Sequence, residues 1–205
     1  MARGVGGVIL RIVRITEPSE LEALFRFRHD TYVDDLGWLP AHPSGLIRDG
    51  FDDLAYNYAA FDDAGTIVGS MRVVPDGAAG LPLERLVPLN GYRSSKRLVE
   101  LCRLVVHPTH RGSRLGIMLM KAGFQRAVAH DATHIMLDTY VGDGEACDLY
   151  RRFGFVDVSD EYEDPEWTYA RPVVTLSLDI AAAIRDLPTK RSSIFITPDP
   201  AIDPG

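Results

Sequence analysis

β-Branched and apolar residues fill Val8 to Ile15 with arginine interruptions, the pattern of a first strand. Leu21, Leu24, Phe25, Arg28 and Tyr32 then recur at the spacing of one helical face, and Ser19 with Glu22 fits a capping box. Arg28 therefore falls on an apolar stripe. Asp34 to Gly50 contains Gly37, Pro40, Pro43 and Gly45 without periodicity and reads as a long loop, of the kind that often carries function. Ala55–Phe61 and Thr66–Val74 flank Asp62-Asp63-Ala64-Gly65 and predict an antiparallel hairpin that Pro75 ends. Asp76 to Lys96 is an irregular crossing with one helical turn near Leu83–Val87. Strand Leu98–Val106, helix Arg114–His130, strand Thr133–Val141, helix Glu145–Phe153, a strand opening at Phe155 and strand Pro172–Leu178 follow. This order predicts an α/β (α+β) fold, a mixed sheet with helices on both faces. Residues 1–187 read as one domain and 188–205 as a Pro-rich tail, in which Ile194-Phe195-Ile196 is the segment able to dock. There is no internal repeat.

The 205 residues are 46% apolar and 25% charged, an ordinary soluble globular composition that excludes disorder over the whole length. No apolar run approaches the roughly 20 residues of a membrane span, so the expected location is cytoplasmic. The formal charge of −7 argues against nucleic acid as a partner, since that affinity comes from a positive surface. Basic residues are 19 Arg and 3 Lys, a bias explained as well by genome composition as by anion recognition. Cys102 and Cys147 lack metal or disulfide spacing and are expected to be reduced and buried.

The sharpest chemical signal is the join Val105-Val106-His107-Pro108-Thr109-His110-Arg111-Gly112-Ser113-Arg114-Leu115-Gly116. A strand opening through a basic, Gly-containing turn into a helix offers backbone N–H groups to an anion, although an ordinary strand-to-helix turn has the same outline. Its companion, Ala146-Cys147-Asp148-Leu149-Tyr150-Arg151-Arg152-Phe153-Gly154-Phe155, is a short helix ended by glycine. Together the two segments resemble the signatures of the GNAT superfamily of acyl-CoA N-acyltransferases, an (R/Q)xxGx(G/A) turn matched by Arg111 and Gly116, and LYxxxGF matched by Leu149, Tyr150, Gly154 and Phe155. That resemblance implies a GNAT-like mixed, mostly antiparallel sheet with a V-shaped central opening. It also implies a pantetheine thioester, from coenzyme A or acyl carrier protein, lying along Leu104, Val105 and Val106. The pyrophosphate would rest on Arg111, Gly112, Ser113, Arg114, Leu115 and Gly116. Tyr150 matches the family's proton donor to the departing thiolate; packing beside Leu149 and Phe153 is the alternative.

Arg114 replaces the middle glycine, and its side chain either crowds a pyrophosphate or adds a cationic contact. A carrier-protein donor needs less from this loop, and Arg93, Lys96, Arg97, Arg111, Arg114, Lys121 and Arg126 are candidates for a basic docking ground; scattered surface charge is the alternative.

In the amino-terminal half Arg28 with Tyr32, Gly37-Trp38, Asp49 and Asp52, Arg72, and Glu100 with Arg103 follow one another in an order similar to autoinducer (acyl-homoserine-lactone) synthases and long-chain N-acyl amino acid synthases. The clear LYxxxGF segment tilts the resemblance to the latter. Arg28 on an apolar face demands a desolvated acid, with Asp49 and Asp52 as natural partners; Arg72 and Arg103 interrupt apolar strands and make the same demand, with Glu100 available. The network either orders the loop over the sheet or shapes the amine-acceptor pocket, and Arg28, Trp38, Asp49, Asp52, Arg72 and Arg103 are the candidate acceptor residues. An amine must lose a proton before attacking a thioester, and the resemblance points to Glu100 as base. Glu100 and Arg103 share a pocket only if the strand bulges between them; the oxyanion would then meet a backbone N–H near Leu104 or Val105.

Cys102 lacks an evident activating base, His107 and His110 lack a third ligand, and no metal is expected. The expected activity is N-acyl transfer by direct attack, onto an amino acid or related amine metabolite. A synthase releasing a homoserine lactone from S-adenosylmethionine is the alternative in the same class, and a silent thioester-binding module the alternative in another.

Overall fold

A single twisted sheet organises the chain, seen in a computed structural model that describes residues 11–142, 146–168, 171–185 and 202–203. Its strands are β1 (Arg11–Ile15), β2 (Tyr56–Phe61), β3 (Ile67–Pro75), β4 (Leu98–Val106), β5 (His134–Tyr140), β6 (Val156–Asp157), β7 (Tyr162–Glu163), β8 (Pro172–Asp179) and β9 (Ile202–Asp203). The order is β6-β8-β5-β4-β3-β2-β1-β9, with β7 also on β8. Neighbours are antiparallel except β4 with β5 and β1 with β9.

Helices α1 (Pro18–His29) and α3 (Leu115–Ala129) cover opposite faces; α2 (Asn90–Arg93), α4 (Ala146–Arg152) and α5 (Ile180–Arg185) are short. Strand alternation sorts the core. Tyr58 and Ala60 point to the α3 side with Ile12, Met71, Leu115 and Leu119, while Ala59 points to the α1 side with Ile15 and Leu24. α3 packs close to the sheet at Gly123, where a Cβ would stand 2.8 Å from Leu101.

One irregularity positions everything that follows. β4 and β5 pair at three positions, Leu98 with His134, Val99 with Ile135 and Glu100 with Met136. Beyond them β4 runs on beside β3 and β5 beside β8, so the sheet opens as a V. A bulge in β4 accompanies the opening: Cys102 faces Arg72 and Val105 faces Ser70, so one extra residue is accommodated, and Arg103 takes a left-handed φ of +52°. Bulges increase local twist and bend the strand, which turns β4 away from its parallel neighbour.

Several boundaries differ from the sequence pattern. α1 starts at Pro18, whose fixed φ and missing N–H suit the first helical position, so Ser19 lies inside the first turn and no capping box forms. The chain stays helical past His29 as a π turn over Asp30–Asp35, so the loop starts later than expected. The helical turn expected near Leu83–Val87 is a 3₁₀ turn at Pro82–Arg85. α2, α5, β7 and β9 had no periodic signal because each is too short to show one. In the tail, Ile202 and Asp203 pair in parallel with Ile12 and Val13. The expectations for Val8–Leu10, Glu145 and Ile194–Ile196 fall outside the described residues. Among the described residues no helix is long and apolar enough to cross a membrane.

Leu119 is fully buried between α3 and the sheet. Leu119→Ala is expected to lower unfolding stability by about 2–5 kcal/mol, read as a shifted urea midpoint with little change in slope.

Candidate active site

The V encloses a cavity of ≈ 310 Å³ that Glu100 and Leu101 through Val106 line on one side and Leu137, Asp138, Thr139 and Tyr140 on the other. Arg111 and Tyr150 border it from the side of α3 and α4, and Pro82, Arg85, Asp164 and Glu166 from the opposite side. Beyond Glu100 the edge of β4 that faces β5 has no strand partner, so its backbone is open to a ligand that pairs as an added strand.

Glu100 stands where the strands part. It is 3% exposed, and its Oε2 accepts the Leu83 N–H at 2.9 Å. Burial pushes its carboxyl up to about 8 and the neighbouring Asp138 carboxylate adds to the rise, against the opposing pull of the Leu83 N–H, Arg72 and Arg85. Tyr150, 8% exposed, packs its ring 5.7 Å from Phe155, and its hydroxyl hydrogen-bonds none of the described residues. Burial raises that hydroxyl to about 12. Cys102 is half-buried rather than buried, and burial pushes its thiol up to about 12, which suppresses the thiolate a nucleophile requires. Cys147 is free and buried.

The arginines and acids form one chain of alternating charge. Arg28, fully buried, donates to Asp52 Oδ1 at 2.7 Å, Asn57 Oδ1 at 2.6 Å and Ser70 Oγ at 2.8 Å. Arg72 Nη1 donates to Asp52 Oδ2 at 2.9 Å and Asp49 Oδ1 at 2.7 Å, and its Nε reaches Cys102 Sγ at 3.3 Å. Arg103 lies 2.7 Å from Glu166 and 3.5 Å from Asp49. Glu166 also meets Arg85 at 3.1 Å, and Arg85 binds Asp164. The acids expected for Arg28 are thus shared: Asp52 serves Arg28 and Arg72, whereas Asp49 serves Arg72 and Arg103. Glu100 serves none of them as an ion-pair partner. Arg28 and Asp52 lie outside the cavity wall, Arg72 and Arg103 line it, and Asp49 lines an adjoining cavity of ≈ 890 Å³ under the loop Leu39–Leu54. Pro82, Arg85, Arg103 and Glu166 border both cavities.

Trp38 belongs to a set of four rings at the cavity with Tyr32, Tyr140 and Trp167, with centroids 5.3–6.3 Å apart. Arg111 lays its guanidinium 5.7 Å from the Trp38 ring centre. Tyr32 donates its hydroxyl to the Leu104 carbonyl at 3.3 Å, tying the π turn to the bulge. In the turn before α3, Gly112 has φ +73°, a conformation that favours glycine, and a Cβ at Gly116 would meet nothing within 4 Å. Arg114 has φ −77°, so its backbone has no need of glycine, and its side chain is exposed. Ser113 Oγ accepts the Leu115 N–H at 3.3 Å.

The seven basic residues do not make one docking ground. Lys121 is buried, Arg93 pairs with Asp76 and Glu84, Arg126 donates to the Tyr58 hydroxyl, and Lys96 is half-buried; Arg97, Arg111 and Arg114 are exposed, and of these Arg111 lines the cavity.

The sequence pattern missed Asp138, Arg85, Asp164, Glu166, Tyr140 and Trp167. Asp138 carried the same signal as Arg72, a charge inside an apolar strand. The loop residues Asp164, Glu166 and Trp167 reach the cavity through tertiary folding that no local period announces.

A mixed sheet splayed between its central parallel strands, with a glycine-bearing basic turn leading from β4 into a helix, defines a GNAT-type acyltransferase fold. Residues 23–179 match the family model of the N-acyl amino acid synthase FeeM, and the chain belongs to that family. Over 138 residues it is 31% identical to the L-ornithine N(alpha)-acyltransferase of Rhodobacter capsulatus, a stretch that is 60% of this chain and 52% of that protein. The chain therefore spans about half the length of that relative. In fold it is similar to FeeM from uncultured soil microbes, with a TM-score of 0.73 at 16% identity over 94% of this chain and 100% of the other. It is similar also to BjaI, a CoA-dependent acyl-homoserine lactone synthase solved with SAM and isopentyl-CoA, with a TM-score of 0.68 at 18% identity over 96% and 93%.

Asp52→Asn removes the carboxylate that Arg28 and Arg72 share and leaves buried positive charge uncompensated. A loss of about 3–5 kcal/mol is expected in urea unfolding.

Proposed function

We propose that the protein is an N-acyltransferase that moves an acyl group from a pantetheine thioester to an amine in the opening between β4 and β5. The single observation that carries this reading is the position of Glu100, buried at the point of divergence and lining the cavity. The amine nitrogen attacks the thioester carbonyl carbon, Glu100 takes a proton from nitrogen, and the collapsing intermediate breaks the C–S bond. Tyr150 returns a proton to the thiolate. The intermediate's oxygen is received by the backbone N–H of Leu104 or Val105 at the bulge, where a fixed donor aimed at developing charge lowers the barrier. The unpaired edge Leu104–Val106 holds the pantetheine amides. Arg111 to Gly116 hold the phosphates of acyl-CoA, with Arg114 a cationic contact, because its exposed side chain leaves the turn backbone open. Coenzyme A is therefore the donor this reading favours over a carrier protein. The acceptor is an amine metabolite of amino-acid type, in keeping with the ornithine acyltransferase relative. Trp38, Arg72 and Arg103 border the acceptor, with Arg28, Asp49 and Asp52 fixing them in place.

A thiol-release assay with long-chain acyl-CoA, the same acyl group on acyl carrier protein and a pool of amines, with product mass detection, tests the reading. An acylated amine formed from acyl-CoA is expected. A homoserine lactone would assign the autoinducer-synthase activity instead, and donor binding without transfer to any amine would contradict catalysis. Glu100→Gln is expected to lower kcat by about 10²–10⁴, and Tyr150→Phe to lower it to a lesser degree.

Because a protonated Glu100 cannot take the amine's proton, kcat/KM is expected to rise with pH through about 8, and the limb should vanish in Glu100→Gln. Stability should move the other way. Folded Glu100 binds its proton more tightly than its ordinary 4.5 allows, so stability falls as pH rises from there to about 8. Glu100→Gln should then melt at or above the wild-type temperature at pH 9.

A further inference from the structure

The ion pairs around the two cavities close among themselves. Arg28, Arg72, Arg103 and Arg85 are matched by Asp52, Asp49, Glu166 and Asp164. Two carboxyls of the smaller cavity, Glu100 and Asp138, are left over: neither forms an ion pair with any described residue. Glu100 uses Oε2 for the Leu83 N–H, and Oε1 has no hydrogen-bond partner among the described residues. Asp138 stands two positions after Met136, the residue opposite Glu100, so both carboxyls emerge on one face of the sheet, one on each bank of the opening. Asp138 is oriented from its far side, where Thr175 Oγ1 donates to Oδ1 at 2.8 Å and Tyr162 bonds to that threonine hydroxyl at 3.1 Å. Glu100 is buried and Asp138 half-buried, and with Arg72 and Arg85 engaged by other acids neither carboxyl forms an ion pair until a ligand supplies the cation.

Building on the acyl-transfer reading, we propose that the acceptor binds as its ammonium ion between Glu100 and Asp138, with Asp138 holding the charge while Glu100 removes the proton. The substrate class is then a cationic primary amine rather than a neutral nucleophile. Protons balance in three steps. RNH₃⁺ gives one proton to the Glu100 carboxylate, and the resulting RNH₂ attacks the carbonyl carbon. The nitrogen then loses a second proton after Glu100 has passed the first to solvent, and the thiolate released by C–S cleavage takes one from Tyr150. The sum is amide, thiol and one proton. Around Glu100 the facing charges are Asp138 on β5, Arg72 on β3, Arg85 on the Pro82–Arg85 turn and the Cys102 thiol on β4; around Asp138 they are Arg85, Asp164, Tyr162 and Glu100. Burial raises both carboxyls. At pH 7 an arriving ammonium therefore favours ionised Glu100 and drives its proton out.

Butylamine, the simplest such ammonium, tests this by calorimetry on the intact protein without acyl donor, in two buffers of different ionisation enthalpy. Binding with net proton release at pH 7 is expected, weakened about 10- to 100-fold in Asp138→Asn, the loss of one charge-assisted contact. The asparagine keeps an acceptor for Thr175, and an unchanged melting temperature separates binding from folding. In turnover, Asp138→Asn should raise KM for the amine but not for the thioester, and should move the rising pH limb to lower pH, because a negative neighbour of Glu100 is gone. Absence of butylamine binding, or binding and pH limb both indifferent to Asp138→Asn, overturns the proposal. Acyl transfer with Asp138 indifferent would leave the function standing and remove this site; proton-linked amine binding without transfer to any amine would do the reverse.

Discussion

Arg28, Asp52, Arg72, Asp49, Arg103 and Glu166 form one charge chain from the helix α1 to the loop before β8, and the architecture around the two cavities hangs on it. Taking guanidinium groups out of water costs several kcal/mol each, so every member needs the next. Arg28 has no exposed surface, and its donors go to three separate segments: the loop at Asp52, β2 at Asn57 and β3 at Ser70. Asp52 is the link that two buried guanidiniums share, and removing it strands Arg28 without an acid.

That constraint ties together parts of the chain with no other reason to meet. It pins the long loop onto the sheet, gives the left-handed Arg103 two acids to hold, and draws the Glu166 segment over the cavity. The bulge that Arg103 occupies follows the last pairing of β4 with β5, so these ion pairs hold Arg103 at the rim of the opening. Glu100 lies one step before the split and outside the chain of pairs. Its carboxyl is left without an ion pair, buried, and shifted into the range where proton transfer near neutral pH is possible.

Much of this could be read in the sequence. β4 at Leu98–Val106 was marked by its apolar run, and Arg28, Arg72 and Arg103 announced a buried network by interrupting apolar faces, a signal that rests on desolvation and survives any register. Which acid serves which arginine was not legible, because Asp49 and Asp52 are three residues apart and only the loop's path decides that Asp52 alone reaches Arg28. The basic docking ground failed for a related reason: Lys121 sits on the inward face of α3, and Arg93 finds Asp76 and Glu84, neither visible from charge counting. Tyr150 and the turn at Arg111–Gly116 were found through motifs. Glu166 and Trp167 were missed, since loops carry no period to set them apart, whereas Asp138 was passed over although it interrupts an apolar strand as Arg72 does.

The proposed acyl transfer requires the thioester to lie in the opening between β4 and β5 with its carbonyl at Glu100. The most direct measurement is a crystal structure with a non-cleavable thioether analogue of long-chain acyl-CoA. Pantetheine along Leu104–Val106, phosphates on the Arg111–Gly116 turn and the carbonyl-equivalent atom beside Glu100 and the bulge are the predicted result. The analogue seated in the larger cavity under Leu39–Leu54, with the opening between the strands unfilled, would contradict it.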